Sequence, residues 1–263
     1  MSFLVNPYQF EFTCPDADAV AFLTATGITD ATITSAICTL VTTMKTDGTW
    51  AKCNTIYPMV GGTATTHKFN LKNPLNTNAA FRLSFVGGWT HSSNGALPNG
   101  TNTYANTFFN PSANASQNSH HISYYSRTNS NLTEVEIGGA NATQGSVLEI
   151  RTSNITYFRI NSSTTYITAA DADSRAFYMA NRTAQNVING WKNLTKIATG
   201  ATASSTLVNL NYFLGALNNN GATSFYSRKE CAFATIGSGL TDAEAAALYN
   251  SIQAFQTTLS RQV

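Results

Sequence analysis

Residues 146–160 read SVLEIRTSNITYFRI, and their pattern of apolar and polar side chains indicates the fold class. It holds two short runs rich in β-branched and aromatic side chains, at 146–152 and 155–160. In the second run, Tyr157 and Arg159 alternate with two apolar side chains. This period of two is typical of a half-buried antiparallel strand. The stretch therefore predicts two β-strands.

The same pattern continues on both sides of this stretch, from about residue 56 to residue 237. Short runs rich in Tyr, Phe, Ile, Val and Thr are separated by clusters of Asn, Gly, Ser and Pro, which favour turns. Because no helical pattern lies between these runs, they predict an antiparallel sandwich and not a β-α-β fold. The strands are expected at about 67–71, 79–86, 119–127, 133–138, 146–152, 155–160, 175–181, 186–191, 194–198, 211–216 and 230–236.

Helical patterns precede the strand-rich region. Asp16 or Asp18 can cap a short helix that stops at Gly27. A second helix starts at Thr29-Asp30, carries its apolar side chains on one face, and ends at Asp47-Gly48. We expect both helices to pack against the sandwich through their apolar faces.

The C-terminal helix has the clearest start in the sequence. Thr241 and Glu244 have the spacing of a capping box, in which each side chain accepts a hydrogen bond from the other residue's backbone N–H. The predicted fold is mostly β, an antiparallel jelly-roll sandwich with an N-terminal helical segment and a C-terminal helix. The predicted parts are an apolar arm at 1–13, a helical segment packed on the sandwich at 14–56, the jelly roll at 57–240, and the C-terminal helix and tail of the same domain at 241–263.

The composition is poor in charge. Charged residues make up 11% of the chain, against roughly 25% in an average soluble protein, and Asn, Thr and Ser take their place. Such a neutral polar surface suits exported or virion proteins better than housekeeping enzymes. The basic residues are scattered, so we expect no nucleic-acid partner. The sequence shows neither a secretory signal pattern nor an apolar run of membrane-spanning length, so we also expect no membrane partner.

The first twelve residues, MSFLVNPYQFEF, are rich in apolar side chains. Apolar residues at 8, 10 and 12 alternate with polar ones, which is the period of a strand. Two interpretations stay open, an arm that docks on a partner protein and a first strand of the chain's own sheet. The docking residues of such an arm would be Phe3, Leu4, Tyr8, Phe10 and Phe12.

Four cysteines, Cys14, Cys38, Cys53 and Cys231, show no CxxC spacing and no grouping with histidine. We expect them to be buried free thiols that behave as small apolar residues. A Cys14–Cys231 or a Cys38–Cys53 bridge stays open as an alternative.

Two segments resemble known jelly rolls. Residues 231–244, CAFATIGSGLTDAE, look like the closing strand and helix start of laminin G and concanavalin A-like domains. The hairpin INGWKNLTKI at 188–197 is similar to a strand-turn-strand unit of that superfamily, although Leu194 stands where a turn glycine is usual. The resemblance implies a lectin-like sandwich.

A second resemblance extends over nearly the whole chain. The matching segments are FLVNPY at 3–8, YPMVGGTATTHKFNLKNP at 57–74, AAFRLSFVGGWTHSSNGALPNGTNTYANT at 79–107 and FQTTLSRQV at 255–263. These segments resemble a set of phage-encoded structural proteins, often linked to tail or head appendages and to phages of Bacteroidetes hosts. The resemblance implies a virion structural protein, such as a tail fibre, head fibre or capsid-surface appendage, made in the host cytoplasm. Its partners would be other virion proteins and a host-surface glycan, and a homo-oligomer is compatible with that role.

One strand could carry catalytic acids. Glucanases of the jelly-roll superfamily use paired carboxylates on one strand, and the period of two directs Glu134 and Glu136 to one face. The third acid of that pattern is missing, because Gly138-Gly139 follow. We therefore expect a solvated strand face and no enzyme. A carbohydrate-active, glucanase-like enzyme that uses Glu134 and Glu136 is the alternative.

Metal ligands show no complete motif. His120 and His121 are adjacent, so in a strand they face opposite ways and cannot share a metal. Asp171, Asp173 and Asn181 match a Ca²⁺ loop only in part. We therefore expect no cofactor, with Ca²⁺ as the alternative.

Sugar recognition usually combines an exposed aromatic face with polar neighbours on loops. The loop 87–106 and the hairpin 188–197 both offer this combination. Packing in the core is the alternative for either tryptophan, because indole is a large apolar group. The candidate glycan-binding residues are Trp89, His91, Asn94, Tyr104, Trp191 and Asn193.

Overall fold

The structure is a computed structural model that describes residues 14–263. The arm predicted for residues 1–13 lies outside the described residues. Across residues 14–263, no helix has both the length and the hydropathy needed to cross a membrane. The helices are α1 (Ala17–Thr26), α2 (Ala31–Thr46), α3 (Thr49–Lys52), α4 (Ala64–His67), α5 (Pro111–Asn114) and α6 (Asp242–Thr258), with a 3₁₀ turn at Asn78–Ala80.

The strands are short, and turns join most of them. In chain order they are β1 (Cys53–Tyr57), β2 (Ser84–Val86), β3 (Thr90–Ser92), β4 (Gly95–Leu97), β5 (Tyr104–Asn106), β6 (His120–Ser126), β7 (Ile137–Ala140), β8 (Gly145–Thr152), β9 (Ile155–Ser162), β10 (Ile167–Ala170), β11 (Ala176–Ala184), β12 (Val187–Lys192), β13 (Thr195–Gly200), β14 (Phe213–Leu214), β15 (Leu217–Asn219), β16 (Ala222–Ser224) and β17 (Cys231–Gly237).

These strands form two sheets. The first sheet has the order β13-β12-β11-β6-β17-β4-β3, with β1 also paired to β17. The second has the order β10-β9-β8-β7-β14-β5-β2, with β15 and β16 attached beside β7. The pairings are antiparallel except for β15 with β7. The predicted antiparallel sandwich is therefore confirmed.

Alternating side chains of the first sheet belong to two different hydrophobic cores. In β11, Tyr178 belongs to the core between the two sheets, together with Phe158 of β9. Its neighbour Phe177 belongs to the core between the first sheet and the helices, together with Ile37 of α2 and Phe255 of α6. The protein therefore has three layers, with the long helices on the first sheet and the second sheet on the opposite side.

The predicted ends of the N-terminal helices are confirmed. The Asp16 side chain accepts a hydrogen bond from the backbone N–H of Asp18 at 3.0 Å and caps α1. The helix ends where Gly27 takes a φ of 66°, a left-handed conformation that glycine adopts without steric cost. Asp30 caps α2 by accepting from Ile33 N–H at 2.9 Å.

The capping box of the C-terminal helix is confirmed as well. Thr241 Oγ1 accepts from Glu244 N–H at 3.2 Å, and Glu244 Oε2 accepts from Thr241 N–H at 2.8 Å. The helix buries Leu248 and Ile252 against the first sheet.

The strand predicted at 67–71 is wrong. Thr63 and Thr66 form a capping box that starts the one-turn helix α4, so the chain bends before it could extend. Asn70 then binds other segments through its side chain, accepting from Ile56 N–H at 2.9 Å and donating to Ala80 O at 3.1 Å. These local polar contacts replace a strand ladder.

Several strands are absent from the sequence prediction. β3, β4 and β5 each have three residues, which is too short for an alternation to show. β1 begins at Cys53, inside the segment 14–56 that was assigned to helices. These strands are recognisable only through their pairing with neighbours.

The expectation of four free thiols is wrong. Cys14, just before α1, forms a disulfide with Cys38 of α2. The alternative bridges Cys14–Cys231 and Cys38–Cys53 are also wrong, and Cys53 and Cys231 are buried free thiols. The packing of α1 against α2 decides this pairing, since it also brings Asp16 within 2.7 Å of Lys45.

Reducing this disulfide should lower the melting temperature. The bridged residues are 24 apart in the sequence, and a loop of that size contributes about 3 kcal/mol, or roughly 6–12 °C in a chain of this length. Thermal unfolding with and without dithiothreitol measures the effect. A Cys14→Ser/Cys38→Ser variant should melt like the reduced protein and no longer respond. An unchanged melting temperature after complete reduction would contradict the prediction.

Candidate functional site

The segment between β2 and β5 is a structured loop. Strands β3 and β4 form a hairpin, and a tight turn follows at residues 98–103. Asn99 builds this turn, because its Oδ1 accepts from the N–H of Thr101 at 2.9 Å and of Asn102 at 3.1 Å. Its amide donates to Asn102 Oδ1 at 2.7 Å. Asn99 and Asn102 are exposed, so the turn presents fixed amide groups to solvent.

Trp89 holds the base of this loop. Its indole N–H lies 3.1 Å from Val86 O and 3.3 Å from Tyr104 O, the carbonyls at the end of the β2–β5 ladder. The far edge of the ring packs on Gly215, where an added Cβ would lie only 2.6 Å from the indole. Trp89 is therefore half-buried, and it supports the loop as well as lining it.

The other predicted residues of this loop occupy different positions, with Asn94 at the opposite end of the β3–β4 hairpin from Trp89. Tyr104 stacks on Phe213 at 4.5 Å between ring centroids, and Asn94 is exposed in the β3–β4 turn. His91 Nδ1 lies 2.9 Å from His67 Nδ1. Burial lowers the pKa of His67 to about 3 and also lowers that of His91, so both rings are neutral near pH 7.

Trp191 and Asn193, the two predicted residues of the β12–β13 hairpin, do not belong to the same surface as the loop residues. Trp191 is only 5% exposed and packs between the first sheet and the helices, so it offers no open ring face to a ligand. Asn193 adopts a φ of 52° in the turn, and its Oδ1 accepts from Phe177 N–H at 3.0 Å. Both residues therefore stabilise the hairpin, in line with the core-packing alternative.

Phe225 is a surface aromatic that the sequence prediction missed. Its side chain is 47% exposed, and its φ is 52°, a left-handed conformation that is rare for a bulky residue. Hydrogen bonds hold the strained segment, from Val135 N–H to Phe225 O and from Ser227 N–H to Gly215 O, both at 2.9 Å. The ring therefore projects into solvent from a fixed backbone.

Arg228 lies beside the 98–103 turn. Its side chain passes over Gly100, where an added Cβ would lie 2.4 Å from the arginine Cγ. Its Nη1 donates to Glu134 Oε1 at 2.9 Å, yet the side chain is 46% exposed. The surface formed by the turn and this segment is called the rim site below. It comprises Trp89, Asn99, Asn102, Tyr104, Phe225 and Arg228.

The sequence contained one signal for this segment, a near repeat of SYYSR at 123–127 in SFYSR at 224–228. Paired strands with facing aromatics would have explained it, but the structure shows no such pairing. The first copy lies in the buried strand β6, and the second forms a surface turn ahead of β17. The repeat is therefore a chance match in a chain that is rich in serine and aromatic residues.

The paired acids are buried, so the predicted solvated strand face is wrong for them. Glu134 and Glu136 are 0% exposed, and both accept from Lys229 Nζ, at 2.9 and 3.2 Å. Glu136 also accepts from Ser227 Oγ at 3.0 Å and from Ile150 N–H at 2.6 Å. Both carboxylates bind the same lysine, as expected if the period of two directs them to one face. Because both are buried, neither can reach a substrate.

The structure does not assemble Asp171, Asp173 and Asn181, the partial Ca²⁺ pattern, into one site. Asn181 hydrogen-bonds the backbone of Leu240, away from the two aspartates. Lys192 Nζ lies 2.6 Å from Asp171 Oδ1 and 2.6 Å from Asp173 O, so an ammonium group already neutralises this oxygen cluster. Across residues 14–263, no group of three or more His, Cys, Asp or Glu side chains is placed to hold a metal.

The adjacent histidines of β6 face opposite ways, as predicted. His120 Nδ1 lies 2.9 Å from Asn161 Oδ1, on the side of the second sheet. His121 Nδ1 lies 2.6 Å from Ser238 O, on the other side. Burial lowers the pKa of each to about 4, so both are neutral near pH 7.

Comparison with known proteins supports the fold. No protein-family model and no curated protein sequence matches the chain. Among solved structures, a mutant sialidase of Trypanosoma rangeli displaying trans-sialidase activity has a TM-score of 0.54 at 10% identity, over 82% of this chain and 39% of the sialidase. Domain 4 of AbnA, a GH43 extracellular arabinanase from Geobacillus stearothermophilus, has a TM-score of 0.51 at 11% identity, over 75% of this chain and 98% of that domain. At these identities the likeness shows the β-sandwich fold alone.

Proposed function

We propose that this chain is a glycan-binding, lectin-like protein without catalytic activity, carried on a phage particle. The rim site is the part of the surface that would contact the glycan. The arabinanase domain of the same fold was solved in complex with arabinotriose, which supports a saccharide as the class of ligand.

The observation that carries this proposal is the exposed ring of Phe225 on a strained backbone. Strain of this kind is retained where the surrounding structure over-determines it, and it clusters at functional sites. Sugar rings require an apolar surface with hydrogen-bonding groups, and the rim site offers both, in the Phe225 ring and in the amides of the 98–103 turn. Because the backbone holds these groups in place, a ligand need not order them on binding.

The absence of catalysis is part of the proposal. A glycosidase needs one carboxyl group to reach the glycosidic oxygen and a second to reach the sugar or its water. Lys229 and the surrounding chain enclose Glu134 and Glu136 completely. This supports binding over the glucanase-like alternative. Turnover of any oligosaccharide by the protein, lost in Glu134→Gln, would instead establish the enzyme.

The virion location rests on the resemblance of four segments to phage structural proteins and on the low charge of the chain. The Cys14–Cys38 disulfide supports a working environment outside a reducing cytoplasm, where such bonds persist. Other virion proteins would then be partners, with the apolar residues 1–13 as the docking arm. Cryo-electron microscopy of purified particles tests this, and particles that lack the protein would contradict it.

Phe225→Gly should weaken glycan binding strongly without lowering stability. Removing the ring should weaken binding at least about tenfold, as for a central aromatic contact. Glycine relieves the left-handed strain, worth roughly 1–2 kcal/mol, against an entropic cost of roughly 0.5–1 kcal/mol. A glycan array and thermal unfolding measure the two effects. Leu194→Ala is the matched control, because Leu194 is 52% exposed on the distant β12–β13 hairpin. Undiminished binding by Phe225→Gly would contradict the proposal.

A further inference from the structure

We propose that the rim site selects glycans that carry a carboxylate, and that Arg228 is the residue that recognises it. This inference rests on the proposed function and narrows its ligand class. It is carried by the way Arg228 is anchored and by the charges around it.

The guanidinium of Arg228 is held at one nitrogen and open at the others. Its Nη1 donates to Glu134 Oε1 at 2.9 Å. Within residues 14–263, Nε and Nη2 donate to no other group. A planar guanidinium with free N–H groups matches the two oxygens of a carboxylate, with two parallel hydrogen bonds.

Gly100 fixes the plane of this guanidinium. A Cβ at that position would lie 2.5 Å from Nε and 2.6 Å from Cζ of Arg228, so the group lies directly on the glycine backbone. Gly100 has a φ of 74°, which glycine adopts without strain. The arginine is therefore positioned before a ligand arrives.

The charges of this region leave a positive group facing solvent. Arg228 belongs to a network of two carboxylates and two cations, in which Lys229 pairs with both Glu134 and Glu136. The side chains of Lys229 and the two glutamates are 0% exposed, whereas that of Arg228 is 46% exposed. An approaching ligand therefore meets the guanidinium first, because the lysine and both acids are buried beneath it.

The neighbouring groups suit a sugar acid better than a simple anion. Phe225, three residues before Arg228, offers an apolar ring to a sugar face. Asn102 follows Gly100 by two residues in the turn, and within residues 14–263 its Nδ2 donates to no other group, so it can donate to a hydroxyl group. The Oδ1 of Asn99 already accepts four hydrogen bonds inside the turn. We expect a sugar ring attached to a carboxylate on Arg228 to contact Asn102 and Phe225.

The experiment compares an acidic oligosaccharide with its neutral methyl ester, and with a sulfated analogue. We expect the wild type to bind the free acid at least tenfold more tightly than the ester, and the sulfated form more weakly than the acid. Arg228→Gln should lose this preference. Arg175→Gln should keep it, because Arg175 is 50% exposed in a surface pair with Asp173 elsewhere on the molecule.

The outcomes separate this inference from the proposed function. Equal binding of acid and ester by the wild type, or an unchanged preference in Arg228→Gln, would overturn the role of Arg228. If Phe225→Gly still weakened binding at least about tenfold in that case, the glycan-binding function would stand. A wild type that binds no glycan at all would overturn both. Thermal unfolding of Arg228→Gln confirms that the variant is folded, since Glu134 keeps its contact with Lys229.

Discussion

Lys229→Met should lower the free energy of unfolding by about 3–5 kcal/mol at pH 8, the range for breaking a buried ion pair. Lys229 is 0% exposed and pairs with two carboxylates that are themselves 0% exposed. Without it, Glu136 keeps only the neutral donors Ser227 and Ile150 N–H. Chemical denaturation measures the loss.

The loss of unfolding free energy in Lys229→Met should depend on pH. Burial raises the pKa of Glu136 from 4.5 to about 7 even with Lys229 in place. The folded protein thus holds this proton up to about pH 7, whereas the unfolded chain releases it near 4.5. The stabilisation from this proton is therefore complete below pH 4.5 and is lost as the pH rises to 7. Removing the lysine should raise the pKa further, so the defect of Lys229→Met is smallest in acid.

Two further variants test this explanation. Adding Glu134→Gln and Glu136→Gln to Lys229→Met should recover more than half of the loss, because no buried charge remains. Lys196→Met is the control, since Lys196 pairs with the exposed Asp242, and such pairs contribute about 0–1 kcal/mol. A Lys229→Met variant within 1 kcal/mol of wild type at pH 8 would be inconsistent with the network described.

Arg261→Met should lower the free energy of unfolding by about 4 kcal/mol or more, although the residue is third from the C-terminus. Arg261 is 1% exposed, and its guanidinium donates to four backbone carbonyls. Each buried carbonyl left unpaired costs about 1–3 kcal/mol. The four carbonyls are those of Pro58 at 2.6 Å, Met59 at 2.7 Å, Ala232 at 3.0 Å and Ser93 at 3.2 Å.

These contacts also hold a strained turn. Met59 has a φ of 46°, which a side chain of that size rarely adopts. Limited proteolysis should therefore cut the Arg261→Met variant near residues 58–62 sooner than wild type. Arg175→Met is the control for a surface arginine. Equal stability and equal proteolysis of Arg261→Met and Arg175→Met would contradict the stabilising role of the Arg261 hydrogen bonds.

The rim site shows how far sequence reasoning about function extends here. Trp89 and Tyr104 were identified because aromatic residues in a loop rich in Asn and Gly stand out locally. Phe225 and Arg228 were not, because their importance depends on exposure, on a left-handed backbone and on the nearness of Gly100, none of which a linear pattern contains. Trp191 carried the same local signal as Trp89, yet it packs under the helices.

Local sequence patterns specify the class of fold and the ends of the main helices. Both are encoded locally, by an alternation of two residues in strands such as β9 and by caps such as Asp16 and Thr241.

The buried charges, the cysteine pairing and the location of the rim site depend on contacts between distant segments. Glu134 and Lys229 are 95 residues apart in the chain but 2.9 Å apart in space. Their charges are tolerated inside because folding brings them together. A local pattern sets the direction of a side chain, whereas the energy of a buried or exposed group depends on neighbours from elsewhere in the chain.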